Sequence, residues 1–214
     1  MFLIIFGMDE ATIRDLETIL RFYEAHALRD RPPLDRAVIW DPTPLPILLQ
    51  EMLQIDFWYK GEGRKHEGKA LVSGFGDGRD AACLNRMGYD VFAVEINPKL
   101  VGYSKPLLQQ LVNKGLVDTT KLKAVQGNFL DDSTYIANGL KFGDFDKIFA
   151  YLLPQNLTKL LEKFEKEAKQ GAELFALYRV EWPSLETGLK PINTSGTLAS
   201  ALIPHHELLR YRKI

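Results

Sequence analysis

The sequence predicts an α/β fold: a doubly wound, mostly parallel sheet with an antiparallel C-terminal hairpin and an N-terminal helical cap. Three observations support this. From Lys69 onward, short apolar runs alternate with amphipathic stretches of helical period, the pattern of a parallel sheet covered on both faces. The first run, Ala70-Leu71-Val72, leads into three closely spaced glycines and then an Ala/Leu-rich helix. Ahead of Lys60 the chain reads as helices joined by proline turns.

Taken in order, residues 9–27 form an amphipathic helix. Asp9 can cap it, and Ile13, Leu16, Leu20 and Tyr23 recur at three- and four-residue spacing. Arg31-Pro32-Pro33 ends it. The stretch Asp41-Pro42-Thr43-Pro44-Leu45-Pro46 is neither regular helix nor central strand, because three prolines remove donors and fix φ. A second short helix follows, with Ile47, Leu48, Met52 and Leu53 available to one face. The polar, glycine-rich residues 60–68 read as a surface loop that divides a cap (1–60) from a core (61–214).

Within the core, strands are expected at 70–72, 89–94, 122–125, 145–150 and 173–180, and helices at 79–87, 98–114 and 155–169. Pro98 suits a first helical turn. The last helix carries Leu157, Leu160, Leu161, Phe164 and Ala168 on one stripe. Opposite them, Lys159, Lys163, Lys166 and Lys169 interleave with glutamates as a solvated face, and Gly171 stops the helix. Residues 198–203 and 208–213 are expected to form the terminal hairpin. Ligands of such sheets sit at the carboxyl ends of the strands, near the switch in strand order.

Composition narrows the class. The chain has 214 residues, 46% hydrophobic and 26% charged, ordinary values for a globular protein with a core large enough for an enzyme. With 27 basic and 28 acidic residues the formal charge is −1, so no global attraction to nucleic acid or anionic membrane is implied. The single cysteine, Cys83, excludes an intrachain disulfide and a CxxC site. It fits a reducing, cytoplasmic setting and reads as a packing residue of the first core helix. The opening Met1-Phe2-Leu3-Ile4-Ile5-Phe6 is far short of the roughly 20 residues that cross a bilayer, and lacks the features of a signal peptide. It is expected to pack. No membrane span is expected.

The sharpest motif is Gly74-Phe75-Gly76-Asp77-Gly78, placed where the first strand becomes a helix. Glycines permit a tight turn and close approach of a ligand to the backbone. A dinucleotide fingerprint would carry its last glycine at Arg79, so this shorter spacing points to a nucleoside without a pyrophosphate. Glu95, at the expected end of the second strand, can accept hydrogen bonds from both ribose hydroxyls. Gly127-Asn128-Phe129 follows the third strand. Asn128 can bond an adenine edge while Phe129 or Ile96 packs on the ring. Each element also has a plainer reading: a bare turn, a solvated strand end, a helix cap.

The ordered set of the glycine turn, an acidic strand end, Gly127-Asn128-Phe129 and Phe145-Asp146-Lys147-Ile148-Phe149-Ala150-Tyr151 resembles the class I S-adenosylmethionine-dependent methyltransferases over residues 69–180. A narrower likeness is carried by Asp77-Gly78-Arg79, Glu95-Ile96-Asn97-Pro98-Lys99-Leu100-Val101, Tyr151-Leu152-Leu153-Pro154-Gln155 and Pro42-Thr43-Pro44. These are similar to compact archaeal-type protein-lysine methyltransferases. The resemblance implies a Rossmann-like fold and S-adenosyl-L-methionine as cofactor, held by Thr43, Gly74, Phe75, Gly76, Asp77, Gly78, Glu95, Ile96, Asn128, Phe129 and Tyr151. It places Thr43 near the methionine end. Two departures stand out: Val72 where the family usually has an acidic residue, and Asn128 where it more often has Asp.

For such an enzyme the acceptor would be a nitrogen, most simply a protein lysine, with Tyr151 or a carbonyl near Leu152 steering it. An unperturbed lysine has a pKa of about 10.4, so the amine must lose its proton on the way. The exit Tyr151-Leu152-Leu153-Pro154 lacks the Asn/Asp-Pro-Pro-aromatic signature of amino-methylating nucleic-acid enzymes and any carboxylate cluster for a metal. Cys83 lies away from the position of a cytosine nucleophile. His205-His206 lack clustered partners, so no metal site is expected. Arg64-Lys65-His66 and Arg210, Arg212 and Lys213 are the groups that would meet RNA phosphates. RNA or a small molecule as acceptor, or a non-catalytic protein that binds the cofactor, stay open, as does a dimer surface in the first 60 residues.

Overall fold

The computed structural model describes residues 8–27, 45–179, 191–192 and 206–214. The apolar opening, the proline turn as far as Pro44 with Thr43, residues 198–203 and His205 lie outside them. Leu45 and Pro46, expected to be non-helical, instead form the first turn of a helix, where a proline's missing N–H costs nothing.

Six strands form one sheet: β1 (Lys69–Ser73), β2 (Asp90–Glu95), β3 (Leu122–Gln126), β4 (Lys147–Ala150), β5 (Glu173–Arg179) and β6 (His206–Arg212). Their order is β3-β2-β1-β4-β5-β6. β1 to β5 are parallel, and β6 runs antiparallel to β5 from Glu173↔Arg212 to Arg179↔His206. The doubly wound sheet with an antiparallel C-terminal strand is therefore present. Among the described residues the partner of β6 is β5; the expected pairing strand at 198–203 lies outside them.

The helices are α1 (Glu10–Ala27), α2 (Leu45–Gly61), α3 (Arg79–Met87), α4 (Pro98–Asn113), α5 (Asp132–Ile136) and α6 (Pro154–Glu167). Side-chain alternation along the strands sorts them onto two faces. Ala70, Val72, Phe149 and Phe175 join a core with α1, α2, α3 and α4. Leu71, Phe92, Ile148 and Leu174 join a second core with α5 and α6. Thus α1 and α2 share a core with the sheet. Leu157, Leu160, Leu161 and Phe164 of α6 are all fully buried, as their spacing requires.

Strand order reverses between β1 and β4. The chain leaving β1 enters α3 on one face, and the chain leaving β4 enters α6 on the other. The crevice between those two exits is where an open α/β sheet takes its ligand.

Three further sequence expectations need correction. The five-residue α5 forms at Asp132–Ile136, where the sequence pattern shows no helical period. Lys60 and Gly61 belong to α2, so the loop starts later than residue 60. Lys163 is buried, lying against the ring of Phe142 while its Nζ meets Asp132 at 2.5 Å and Glu167 at 2.7 Å. Its stem covers apolar surface while its charge is paired, so it does not belong to the solvated face.

Candidate active site

The glycine bend is built by backbone chemistry. Gly74, Gly76 and Gly78 have φ of 75°, 56° and 94°, a left-handed region that side chains other than glycine rarely adopt. The Gly74 and Phe75 N–H groups donate to the Val94 carbonyl at 2.8 and 3.3 Å, and Gly78 N–H donates to Phe75 O at 2.8 Å. Space is short as well: a Cβ on Gly74 would stand 2.9 Å from Leu152 Cδ2. Most N–H groups of the bend are therefore committed within the protein. The bend offers a ligand shape and closeness more than a row of free donors.

Asp77 and Arg79 close the bend on its inner side. Arg79 Nε donates to both Asp77 oxygens at 3.0 Å, with Nη2 at 2.5 Å, and the guanidinium lies over the Tyr23 ring at 5.7 Å. This explains an arginine where helix–strand contact leaves little room. It folds back onto the loop and is buried there.

Glu95, the last residue of β2, turns toward the bend. Its Oε2 accepts the Gly76 N–H at 3.1 Å and its Oε1 accepts the Asn97 N–H at 2.9 Å. Each carboxylate oxygen has a further lone pair, so hydroxyl donors can still be accepted. Beside it, Ile96 is 61% exposed, an apolar surface at the crevice rim. Phe129 is buried in the second core, so between the two residues expected to pack on a ring, only Ile96 presents a free face. Asn128 holds a local turn: its Oδ1 accepts the Leu130 N–H at 3.0 Å, and Thr134 Oγ1 donates to its carbonyl at 3.0 Å.

Tyr151 and Leu152 follow β4 directly. Leu152 lies over Gly74. Tyr151 lines a cavity of about 10 Å³ together with Val72, Leu84, Met52, Glu51 and Asp80. The last two were not singled out in the sequence. Burial pushes the Glu51 carboxyl well up, with a further contribution from Asp80's charge. Burial pushes Asp80 up to about 7, Arg79 opposing and Asp77 adding. A signal for Glu51 was present: an acid at the third position after Leu48 lies on the stripe with Met52 and Ile55, where a solvated helix face would not be.

Most of the basic groups expected to meet RNA phosphates are engaged within the protein, while Lys65 is exposed. Arg210 is 0% exposed; its guanidinium meets Glu173 at 2.5 Å and Glu62 at 2.6 Å. Arg212 and Arg64 also pair with Glu62 and Glu173. His66 lies between Asp56, at 2.8 Å, and the Tyr89 hydroxyl, at 3.0 Å. This network sits at the amino ends of β4 and β5, away from the crevice. Cys83 is fully buried in α3, and burial pushes its thiol up. Among the described residues no group of three His, Cys, Asp or Glu could hold a metal ion, and no helix is long and apolar enough to cross a membrane.

No protein-family model matches the chain, and no curated protein sequence matches it. Its structure is similar to an RNA methyltransferase from Salinibacter ruber in complex with S-adenosyl-L-homocysteine, with a TM-score of 0.57 and 20% identity, covering 80% of this chain and 93% of that one. It is similar to MtNAS in complex with MTA and tNA, with a TM-score of 0.60 and 13% identity, covering 95% of this chain and 70% of that one. A TehB-like SAM-dependent methyltransferase from Corynebacterium glutamicum gives a TM-score of 0.53 and 14% identity, covering 94% of this chain and 99% of that one. At these identities the likeness is one of fold. The chain has the Rossmann-like fold of the class I S-adenosylmethionine-dependent methyltransferases.

Proposed function

We propose that the chain is a methyltransferase that binds S-adenosyl-L-methionine at the exit of β1 and transfers its methyl group to a nitrogen acceptor, a protein lysine. The observation that carries the cofactor reading is Glu95: its carboxylate faces the glycine bend at the switch in strand order, fixed by two backbone amides. Gly74, Phe75, Gly76, Asp77 and Gly78 give the close-approach turn, Ile96 an apolar face for the base, and Asn128 a neighbouring polar edge. Phe129 supports that edge from within the core. Thr43, outside the described residues, is assigned to the methionine end.

The cofactor supplies an activated methyl group on sulfur, so the protein has to align the acceptor and exclude water. Tyr151 and the Leu152 backbone are the residues that would form the acceptor side. They stand at the end of β4, one strand across from the bend. A lysine entering there loses favourable hydration of its charge, which lowers its pKa toward the neutral nucleophile.

Protein is favoured over RNA as acceptor because Arg64, His66, Arg210 and Arg212 are tied into internal pairs. Likeness to the Salinibacter ruber RNA methyltransferase keeps RNA as the second reading. Titration calorimetry with S-adenosylmethionine and S-adenosylhomocysteine tests the cofactor. Transfer of labelled methyl groups into a cell extract then tests the acceptor: label removed by protease supports protein, and label removed by ribonuclease overturns it. Binding without transfer would make the chain a non-catalytic cofactor-binding protein.

A further inference from the structure

Resting on the cofactor reading above, we infer that Glu51 of α2 and Asp80 of α3 form a two-carboxylate pocket that receives a primary ammonium group. The two acids border the same cavity of about 10 Å³, enough for one water-sized group and no more. The cavity lies between α2, α3 and the carboxyl ends of β1 and β4, with Val72, Leu84 and Tyr151 among its walls. Glu51 is 6% exposed. Asp80 is half-buried as a residue, but its Oδ1 is fully enclosed and has no hydrogen-bond partner. Among the described residues neither carboxylate has a hydrogen bond or an ion pair.

Burying one unpaired carboxylate is costly, and burying two that repel one another is more so. The nearest cation, Arg79, is turned onto Asp77 instead. Among the described residues no cation pairs with either acid, and the partner the pocket calls for is a ligand's cation with N–H donors and the volume of a single heavy atom. A guanidinium is too large for the cavity. A divalent metal would want more oxygen ligands than two acids beside Met52, Val72 and Leu84 provide. A primary ammonium fits: it is compact, has three donors, and neutralises the pair. The raised titration of both acids describes the empty pocket, which an entering ammonium would drive toward its charged form.

Two ammonium groups are candidates for it: the α-amino group of the cofactor, and an ammonium of the acceptor other than the nitrogen that takes the methyl, since that nitrogen must lose its proton. They are separated by comparing S-adenosylhomocysteine, which carries that group, with 5′-methylthioadenosine, which lacks it, on the wild type, Glu51→Gln and Asp80→Asn. If the cofactor's ammonium occupies the pocket, the variants bind S-adenosylhomocysteine about tenfold or more weaker and methylthioadenosine equally well. If the acceptor's ammonium occupies it, both nucleosides bind as before, while label transfer into extract protein falls about tenfold or more. Unchanged binding and unchanged transfer overturn the pocket. A wild type that binds neither nucleoside instead overturns the cofactor reading on which it rests. Methylthioadenosine binding equal to wild type shows that a variant is folded, and thermal unfolding of the free variants, expected at or above the wild-type temperature at neutral pH, checks this independently.

Discussion

Gly76 and Glu95 meet across the ends of two neighbouring strands, the Gly76 N–H donating to Glu95 Oε2 at 3.1 Å. The contact ties the middle of the bend to the carboxylate, while Asn97 N–H fixes the other oxygen. A ribose would meet an acceptor already set in position. Glu95→Ala should weaken S-adenosylhomocysteine binding by at least about tenfold, since hydrogen bonds to charged groups contribute roughly 1.5–3 kcal/mol. Calorimetry reads this directly. Affinity within twofold of wild type would mean that the carboxylate serves the bend alone.

Gly74 is constrained twice, by its φ of 75° and by Leu152 Cδ2 standing 2.9 Å from where a Cβ would be. Gly74→Ala should destabilise the fold by about 1–3 kcal/mol, the range for a residue forced into the left-handed region with added crowding. Truncating Leu152 to Ala in that background should recover only the steric part. Urea midpoints of the two single variants and the double variant separate these contributions. Full recovery in the double variant would show that φ is not the limiting factor.

Glu173, at the first position of β5, collects Lys147, Arg64, Arg210, Arg212 and the Tyr59 hydroxyl. Although burial raises its pKa, hydrogen bonds from Arg64, Lys147 and Arg212 hold it well below the usual carboxylate range. Glu173→Ala would leave Arg210 and Lys147 buried without their shared partner, a loss of about 3–5 kcal/mol by analogy with other broken buried pairs. A urea midpoint near wild type would show that water or Glu62 takes over.

Glu62 adds a pH signature. Hydrogen bonds from Arg210, opposed by partial burial and aided by Arg64, lower it from 4.5 to about 2. Its contribution is therefore complete above the unfolded value and disappears as pH falls through the folded one. Glu62→Gln should flatten the decline in unfolding temperature between those two pH values, modestly because the side chain is a third exposed. An unaltered acid limb would assign that decline to other carboxylates.

Features set by neighbours along the chain were legible in the sequence. The strand, the bend and α3 occupy one continuous run, and Glu95 lies at the end of the next strand, so spacing sufficed to bring bend and carboxylate together. Helix α6 declared itself by an uninterrupted apolar stripe. What escaped depends on distant parts of the chain or on segments too short to show a period. Arg64 and Glu173 are 109 residues apart, and nothing local marks either as the other's partner. Arg64, His66 and Arg210 thus read as free surface when they are tied into internal pairs. Helix α5 has only five residues, less than two turns, and its local signal is the Asp131 cap rather than any periodicity. Phe129 follows a strand end, a position that suggests a ligand-facing ring, but the Tyr135 hydroxyl and the aromatic cluster draw it inward.

Asp80 yields a prediction of the opposite sign to Glu62. Burial lifts it from 3.8 to about 7 in the folded protein, with Arg79 opposing and Asp77 adding. Between those pH values the folded state holds a proton that the unfolded state has released, so stability falls as pH rises through the window. Glu51 acts in the same direction. Asp80→Asn removes one of the two groups. Its unfolding temperature should match wild type near pH 4 and exceed it increasingly toward pH 8, where the wild-type acid must be ionised in an enclosed site. Thermal unfolding of both proteins across that range checks this. A constant difference between the two curves would mean that Asp80 finds solvent in the free protein, and the enclosed-carboxylate account of this cavity would then fail.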